Sequence, residues 1–414
     1  MVKTRAPRMD MIVQRQLDVM TTGNSAYLAT YLRAAKVGGA RVRIVFAPMR
    51  SFGNRPWMSI HPEFIELADE LKVPASIRFG TRFWSLSPQV WGRFILRAAK
   101  AVAIKLGAKV RVHSFLGDPL RPREAREVVA CVKRGKVDIA VAEYSSLGPL
   151  LDDLASVPNR AVLLHDLFSL RAEQFRANGI APDFTEISRE QEAQRCRSST
   201  VNFYASNNEL HVLGPLLAGA RSIWLRPEPP VHAVQEFNES PHAVFLGTRH
   251  AGNVDALKHL VDDIWPLVLK ARPDAILKIA GSICADLTPK QAATQGVELL
   301  GRVNSLTSIS GARAIGLAPT RLASGVSIKV AEYLMLGMPC IVYPVALEGF
   351  LDALDDLVVI ADGPQPYADR IVELLADAPQ RERLSARGLS ETPARLSNRD
   401  LIDFIQKIRP IIAD

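Results

Sequence analysis

No apolar run in this chain approaches the length of a membrane-spanning helix, which excludes a protein built from transmembrane helices. Lys3, Arg5 and Arg8 precede only a short apolar stretch, too short for the h-region of a secretory signal, so a cytosolic protein is expected. Cysteine is scarce: Cys131, Cys196, Cys284 and Cys340 lie far apart, with neither CxxC nor zinc spacing. That excludes a disulfide framework and reads as buried thiols in a reducing compartment. Low-complexity tracts and short-period repeats are also missing, which excludes a solenoid. Aromatics make up 7% and are not interleaved with the basic residues in any recognisable motif, so nucleic acid is not an expected partner.

What is present is a chain of 414 residues, long enough for two domains, with 48% hydrophobic and 23% charged residues, as in a soluble α/β protein. A net charge of +8 and a pI near 9.4 imply attraction to something acidic. The total does not choose between nucleic acid, an anionic membrane and phosphorylated substrates.

Strand-like apolar runs alternate with helix-length amphipathic segments, the pattern of parallel sheets covered by helices. In the first half, residues 9–14 read as a strand, 21–25 as a turn, 26–37 as a helix ended by Gly38-Gly39, and 40–46 as a second strand. Further strands are expected at 110–115, 137–142, 161–164 and 201–205. Residues 221–240, with Pro227, Pro229 and Pro230, read as an irregular linker, and the domain boundary is placed there. The second half restarts with a strand at 243–247, a helix at 254–270, and strands at 275–281, 297–301 and 314–319. The domains expected are thus 1–225, 226–395 and a terminal helix from 396 to 414, whose apolar stripe of Leu401, Ile402, Phe404, Ile405, Ile408 and Ile411 could pack on either domain.

The most informative stretch runs from Ser324 to Leu334. A helix starting near Gly325 leaves its first N–H groups unpaired and its dipole positive, which favours an anion. Lys329 and Glu332, three apart, share one face of that helix, the lysine suited to a diphosphate and the carboxylate to a ribose diol. This is a nucleotide site without a P-loop; the alternative is an amphipathic helix carrying an ordinary surface pair. Gly337 and Pro339 end the helix, and Cys340-Ile341-Val342-Tyr343 reads as a buried parallel strand.

The order of these pieces resembles a known family. Phe245-Leu246-Gly247, Gly252 to Leu257, Trp265-Pro266, Arg272-Pro273-Asp274, Ile279-Ala280-Gly281, Gly301-Arg302-Val303, Pro319 to Glu332, Gly337-Met338-Pro339 and Glu348-Gly349 together are similar to the C-terminal half of GT-B glycosyltransferases of the GT4 type, glycosyl transferases group 1. The resemblance implies two Rossmann-like domains, a nucleotide-diphosphate sugar in the cleft between them, and transfer of the sugar to an acceptor hydroxyl without a metal or other cofactor. By the same resemblance Glu332 holds the donor ribose. Gly325, Val326 and Lys329 form the phosphate side of its helix, Arg249 is a basic group near the diphosphate, and Gly301, Arg302 and Val303 edge the nucleobase. Many members carry a glutamate eight positions before the ribose glutamate. Here that position is Ser324, which can cap the helix but cannot supply a carboxylate to the transferred sugar.

The N-terminal half resembles the acceptor domain of such enzymes through its first strand, the Gly23-Asn24 turn and His165-Asp166. Because His165 follows a strand at the carboxyl edge of an open sheet, it is a candidate hydrogen-bond partner of the sugar, with Asp166 fixing its tautomer or acting as base. In isolation the histidine reads as structural. Gly23 and Asn24 are acceptor-side candidates, and Asp18 and Arg171 weaker ones. In residues 91–105, Arg93, Arg97 and Lys100 form a basic stripe beside apolar residues, either a core helix with a solvated face or a surface resting on an anionic bilayer. The expected acceptor is a saccharide or lipid-linked saccharide of the cell envelope or a related glycan. The competing readings are a nucleotide-sugar epimerase and a non-catalytic partner subunit of the same fold.

Overall fold

The computed structural model describes residues 5–20, 23–53, 55–105, 115–177, 184–228, 240–249, 251–303, 306–322, 325–350 and 352–408. The chain divides into two compact units, one of Met1–Ala205, Glu209–Leu225 and Asn398–Asp414, the other of Ser206–Asn208 and Arg226–Ser397.

Ten strands belong to the N-terminal unit: β1 (Arg8–Val13), β2 (Arg41–Phe46), β3 (Trp57–Ser59), β4 (Glu70–Lys72), β5 (Ser76–Phe79), β6 (Arg82–Ser85), β7 (Ile139–Glu143), β8 (Asn159–Leu164), β9 (Val201–Tyr204) and β10 (Arg221–Trp224). Seven of them form a parallel sheet in the order β10-β9-β8-β7-β1-β2-β4. β7 is buried along its whole length and β1 from Met9 to Val13, because both faces of a parallel sheet are covered. The order grows outward in both directions from the parallel β1–β7 pair, so the winding of the sheet reverses there, the position at which open α/β sheets place functional residues at their carboxyl edge.

The expected linker is corrected at its start. Residues 221–224 are β10, in register with β9, because the Arg-Ser-Ile-Trp run precedes the first proline at 227 and Ile223 is buried. The strand expected at 110–115 lies outside the described residues except for Phe115, which opens a 3-10 turn, Phe115–Gly117. The sequence reading also passed over an antiparallel trio in the order β3-β6-β5, although Gly80, at φ +60°, with Thr81 between Phe79 and Arg82 is a hairpin signal.

The C-terminal unit holds β11 (His242–Leu246), β12 (Leu277–Ala280), β13 (Val297–Gly301), β14 (Ala314–Ala318), β15 (Cys340–Val342) and β16 (Val359–Ile360), in the parallel order β13-β12-β11-β14-β15-β16. This is the doubly wound 3-2-1-4-5-6 order, with its switch point between β11 and β14. Successive residues of β11 alternate between two cores: Ala243 and Phe245 pack on one face of the sheet, Val244 and Leu246 on the other. The expected helix 254–270 is continuous from Ala251 to Ala271 but contains a π turn at Leu260–Ile264, where Pro266 can donate no backbone hydrogen bond.

The terminal helix, Arg399–Lys407, packs on the N-terminal unit. The Phe404 ring lies 5.8 Å from Phe203, and Ile405 sits so close to Gly38 that a Cβ there would meet it at 2.7 Å.

Candidate active site

In the C-terminal unit the chain leaves β14 at Ala318, reaches Gly325 at φ +75°, and enters the helix Ile328–Met335. The helix therefore begins three residues later than expected, with Ser327 at its cap position and no side chain capping it. Its first turn carries no acidic residue. Gly349 presses on this entry: a Cβ there would stand 3.0 Å from the carbonyl oxygen of Gly325. Both glycines are thus required by close approach and by a left-handed φ. Ser324 lies outside the described residues.

Lys329 and Glu332 are not a surface pair. Both are half-buried, and they make no salt bridge with each other. The Lys329 ammonium donates to Asn253 Oδ1 at 2.7 Å and stands 4.4 Å from the centroid of the Phe245 ring. Burial lowers its pKa to about 8, against the opposing field of Glu332. The Glu332 carboxyl is pushed above its ordinary range by burial, which outweighs the attraction of Lys329. Among the described residues nothing donates a hydrogen bond to it.

The switch point is held open by tyrosines. β11 and β14 pair only from His242–Ala314 to Val244–Gly316, and beyond that the Tyr333 hydroxyl accepts from Leu246 N–H at 2.8 Å and donates to Leu317 C=O at 3.2 Å. Gly316 makes room for that ring; a Cβ there would lie 2.5 Å from it. Tyr367 bridges β14 and β15 likewise, between Ala318 N–H and Ile341 C=O. Strand ends that would otherwise leave buried backbone groups unpaired are satisfied by side chains, so the edge can diverge.

Arg249 follows β11, but its guanidinium is bidentate on Asp286, at 2.9 Å for both Nε–Oδ2 and Nη2–Oδ1. An anion would have to share it. Gly301, at φ +62°, accepts from Gly281 N–H at 2.6 Å, Arg302 is exposed, and Val303 packs on the same core cluster as Val326.

In the N-terminal unit the switch-point strands β1 and β7 and their neighbour β8 lead to Arg15, Glu143 and His165 at their carboxyl ends. Glu143, wholly buried, accepts from Arg15 Nε at 3.0 Å and holds His165 Nε2 at 3.0 Å. Arg15 also reaches Ser25 Oγ and the Asn24 carbonyl. Although burial opposes it, Arg15 and His165 together keep the Glu143 carboxyl below its ordinary range. A carboxylate at Nε2 fixes the proton there, which leaves Nδ1, buried and without a partner among the described residues, as an acceptor in the neutral ring. The ring is flanked by Tyr144 at 4.7 Å and Tyr27 at 6.0 Å. Tyr144 itself sits at φ +67°, a strained position for a tyrosine, and its hydroxyl accepts from Asn24.

Asp166 pairs with Arg171 at 3.4 Å, and the carboxylate on His165 Nε2 is Glu143. Gly23 and Asn24 open the helix Gly23–Val37, and Asn24 touches the cluster through Tyr144 and Arg15. Arg171 lies over the Phe175 and Phe184 rings, and Asp18 is exposed. Arg15, Glu143 and Tyr144 were not singled out from sequence. Arg15 and Tyr144 follow the strands β1 and β7 and Glu143 ends β7, and the order of the strands, which makes those positions informative, is a tertiary fact.

Residues 240–377 match the model of the family Glycosyl transferases group 1. In structure the chain is similar to sucrose-phosphate synthase from Thermosynechococcus elongatus, at 12% identity over 97% of this chain and 98% of that one, with a TM-score of 0.62. It is also similar to a mutant of S. aureus TarM in complex with fondaparinux, α-GlcNAc-glycerol and UDP, at 9% identity over 97% and 99% of the two chains and a TM-score of 0.63. A third likeness is to Anabaena Alr3699/HepE in complex with UDP and glucose, at 10% identity over 96% and 98%, with a TM-score of 0.60. No curated protein matches the sequence.

Proposed function

We propose that this chain is a GT-B glycosyltransferase, and that its C-terminal unit, which carries the match to glycosyl transferases group 1, binds a nucleoside-diphosphate sugar through Glu332 and the entry of its helix. The observation that carries this reading is the state of Glu332: a half-buried carboxylate that receives no hydrogen bond from the described residues, on the helix that follows the switch-point strand β14. A ribose diol supplies two hydroxyl donors to such a group. The helix entry at Gly325, Val326 and Ser327 meets the diphosphate, and Lys329, half neutral near pH 8 in the empty site, is held in its charged form by the added anion. These groups, with Arg249 released from or shared with Asp286, balance the leaving group in place of a metal ion. Gly301, Arg302 and Val303 border the base. In the N-terminal unit His165 Nδ1 accepts a hydroxyl of the transferring sugar, with Glu143 and Arg15 holding the ring; Gly23 and Asn24 stand on the acceptor side.

The test is a thermal-shift series with UDP, GDP, ADP and dTDP on the whole protein. At about 100 times Kd a ligand adds about 2.7 kcal/mol to the stability of the native state, a shift of several degrees. A shift with one of the four that is lost in Glu332→Ala supports the reading; no shift with any of them sinks it. Transfer that survives EDTA supports the metal-free part, and loss of transfer on chelation refutes it.

We further propose a saccharide or lipid-linked saccharide of the cell envelope as acceptor, met at the cytoplasmic face of an anionic membrane. No helix of the described residues is long and apolar enough to cross a membrane. What supports a peripheral contact is Phe79 at 81% exposure, with Ile95 and Leu96 exposed on the helix Pro88–Lys105, beside the exposed cations Arg78, Arg82 and Arg97. Four free thiols suit a reducing compartment. Flotation with vesicles containing phosphatidylglycerol, absent with phosphatidylcholine alone and lost in Phe79→Ser/Ile95→Ser, is the expected result; equal behaviour on both lipids refutes it.

A further inference from the structure

A groove of about 580 Å³ opens on the N-terminal unit between the helix Pro122–Arg134 and the β2–β4 edge of the sheet. Its walls carry Arg43, Lys72, Arg123, Arg126 and Arg134 against one carboxylate, Glu127. It shares no residue with the cluster around His165.

Some of these charges are answered within the fold. Arg43 lies in register between Asp10 on β1 and Glu70 on β4, and its Nε donates to Asp10 Oδ1 at 2.8 Å. Gly135 makes way for it: a Cβ there would stand 2.0 Å from the guanidinium. Arg123 pairs with Glu127 at 3.3 Å. Among the described residues no carboxylate pairs with the other three cations. Arg134 donates only to the Ala130 carbonyl, and among the described residues Lys72 and Arg126 make neither hydrogen bond nor ion pair. A pocket that collects unanswered cations has a potential suited to an anion.

The spacing argues against a single small ion. Arg126 and Arg134 are eight residues apart on one helix, about 12 Å along its axis, and Lys72 stands on the opposite wall. Between them Pro74, Ala75 and Ala130 give an apolar surface without bulky side chains. Repeated negative charge on a chain whose units also present flat C–H faces is the chemistry of an acidic sugar polymer.

We propose that this groove binds an acidic oligosaccharide, its carboxylate, sulfate or phosphate groups on Lys72, Arg126 and Arg134 and its pyranose faces on Pro74, Ala75 and Ala130. Under the transferase reading the groove keeps an anionic glycan on the protein between transfers, but the binding does not require that reading.

The experiment is fluorescence anisotropy of a labelled, sulfated heparin-type hexasaccharide with the full chain, in low and physiological salt. The variant Lys72→Glu/Arg126→Glu/Arg134→Glu should weaken binding at least about tenfold and steepen nothing in the melting curve, since none of the three has a carboxylate partner. An equal charge change on the C-terminal unit, Lys258→Glu/Lys270→Glu/Lys290→Glu, should alter it less than about threefold. Should the triple groove variant misfold, Arg126→Gln alone should still weaken binding about threefold. Equal loss from both triple variants, no loss from the groove variants, or displacement of the hexasaccharide by inorganic tripolyphosphate at the same charge concentration overturns the proposal.

Discussion

Replacing Glu332 by glutamine should make the empty protein more stable and the nucleotide complex weaker. The carboxylate is half-buried and receives no hydrogen bond from the described residues, and burial dominates the upward displacement of its pKa. The folded state therefore holds the proton more tightly than the unfolded chain. The stability this confers is complete below the unfolded pKa and is lost as pH rises through the folded one. Glutamine mimics the protonated form at every pH, so the margin of Glu332→Gln over wild type should widen as pH rises above the unfolded pKa and level off once pH has passed the folded one. Each unit by which the folded pKa is raised corresponds to about 1.36 kcal/mol of that margin, reduced by the partial solvent contact of the group. Loss of the carboxylate also removes the group that supports the Lys329 charge, moving that pKa further below 8.

Binding should move the opposite way. A hydrogen bond to a charged acceptor contributes about 1.5–3 kcal/mol, so the nucleoside diphosphate should bind roughly 10- to 100-fold more weakly. Urea unfolding at several pH values, with and without the diphosphate identified by thermal shift, measures both effects. A wild type that keeps or gains stability over Glu332→Gln as pH rises would refute the argument, because the ion would then be satisfied within the fold.

Tyr333→Phe should cost about 1–3 kcal/mol in denaturant unfolding, since Leu246 N–H and Leu317 C=O lose their shared partner. Gly316→Ala should cost a comparable 1–3 kcal/mol, because a Cβ 2.5 Å from the Tyr333 ring forces that ring aside; a neutral outcome would mean the strands tolerate the shift. Glu143→Ala should cost about 3–5 kcal/mol by leaving Arg15 and His165 without their common acceptor. As Glu143 is held below its ordinary range, the advantage of wild type over Glu143→Gln is present above the unfolded pKa and should shrink as pH falls through the folded one, read by the pH dependence of the urea midpoint.

Much of the local structure is legible along the chain because it depends on short spacings. Lys329 and Glu332 had to share a helix face, Gly38-Gly39 had to end a helix, and runs such as residues 243–247 and 314–318 had to be strands buried on both sides. Other features were hidden for physical reasons. β10 looked like linker because its prolines begin just after it, and the π turn before Pro266 keeps ordinary helical periodicity in sequence.

Local periodicity and glycine placement along the chain thus suffice for a parallel α/β protein and for the helix that carries Lys329 and Glu332. Only the tertiary structure decided the strand order in each sheet, and with it which loop residues share a carboxyl edge. Arg15, Glu143 and His165 come from strands up to 150 residues apart and meet because β1, β7 and β8 are neighbours. The same holds for Lys329 on Asn253, for Asp166 turning to Arg171, and for the cations gathered between the helix Pro122–Arg134 and the sheet edge. Partner choice among buried charges is settled by which groups packing brings together, and no spacing along the chain encodes it.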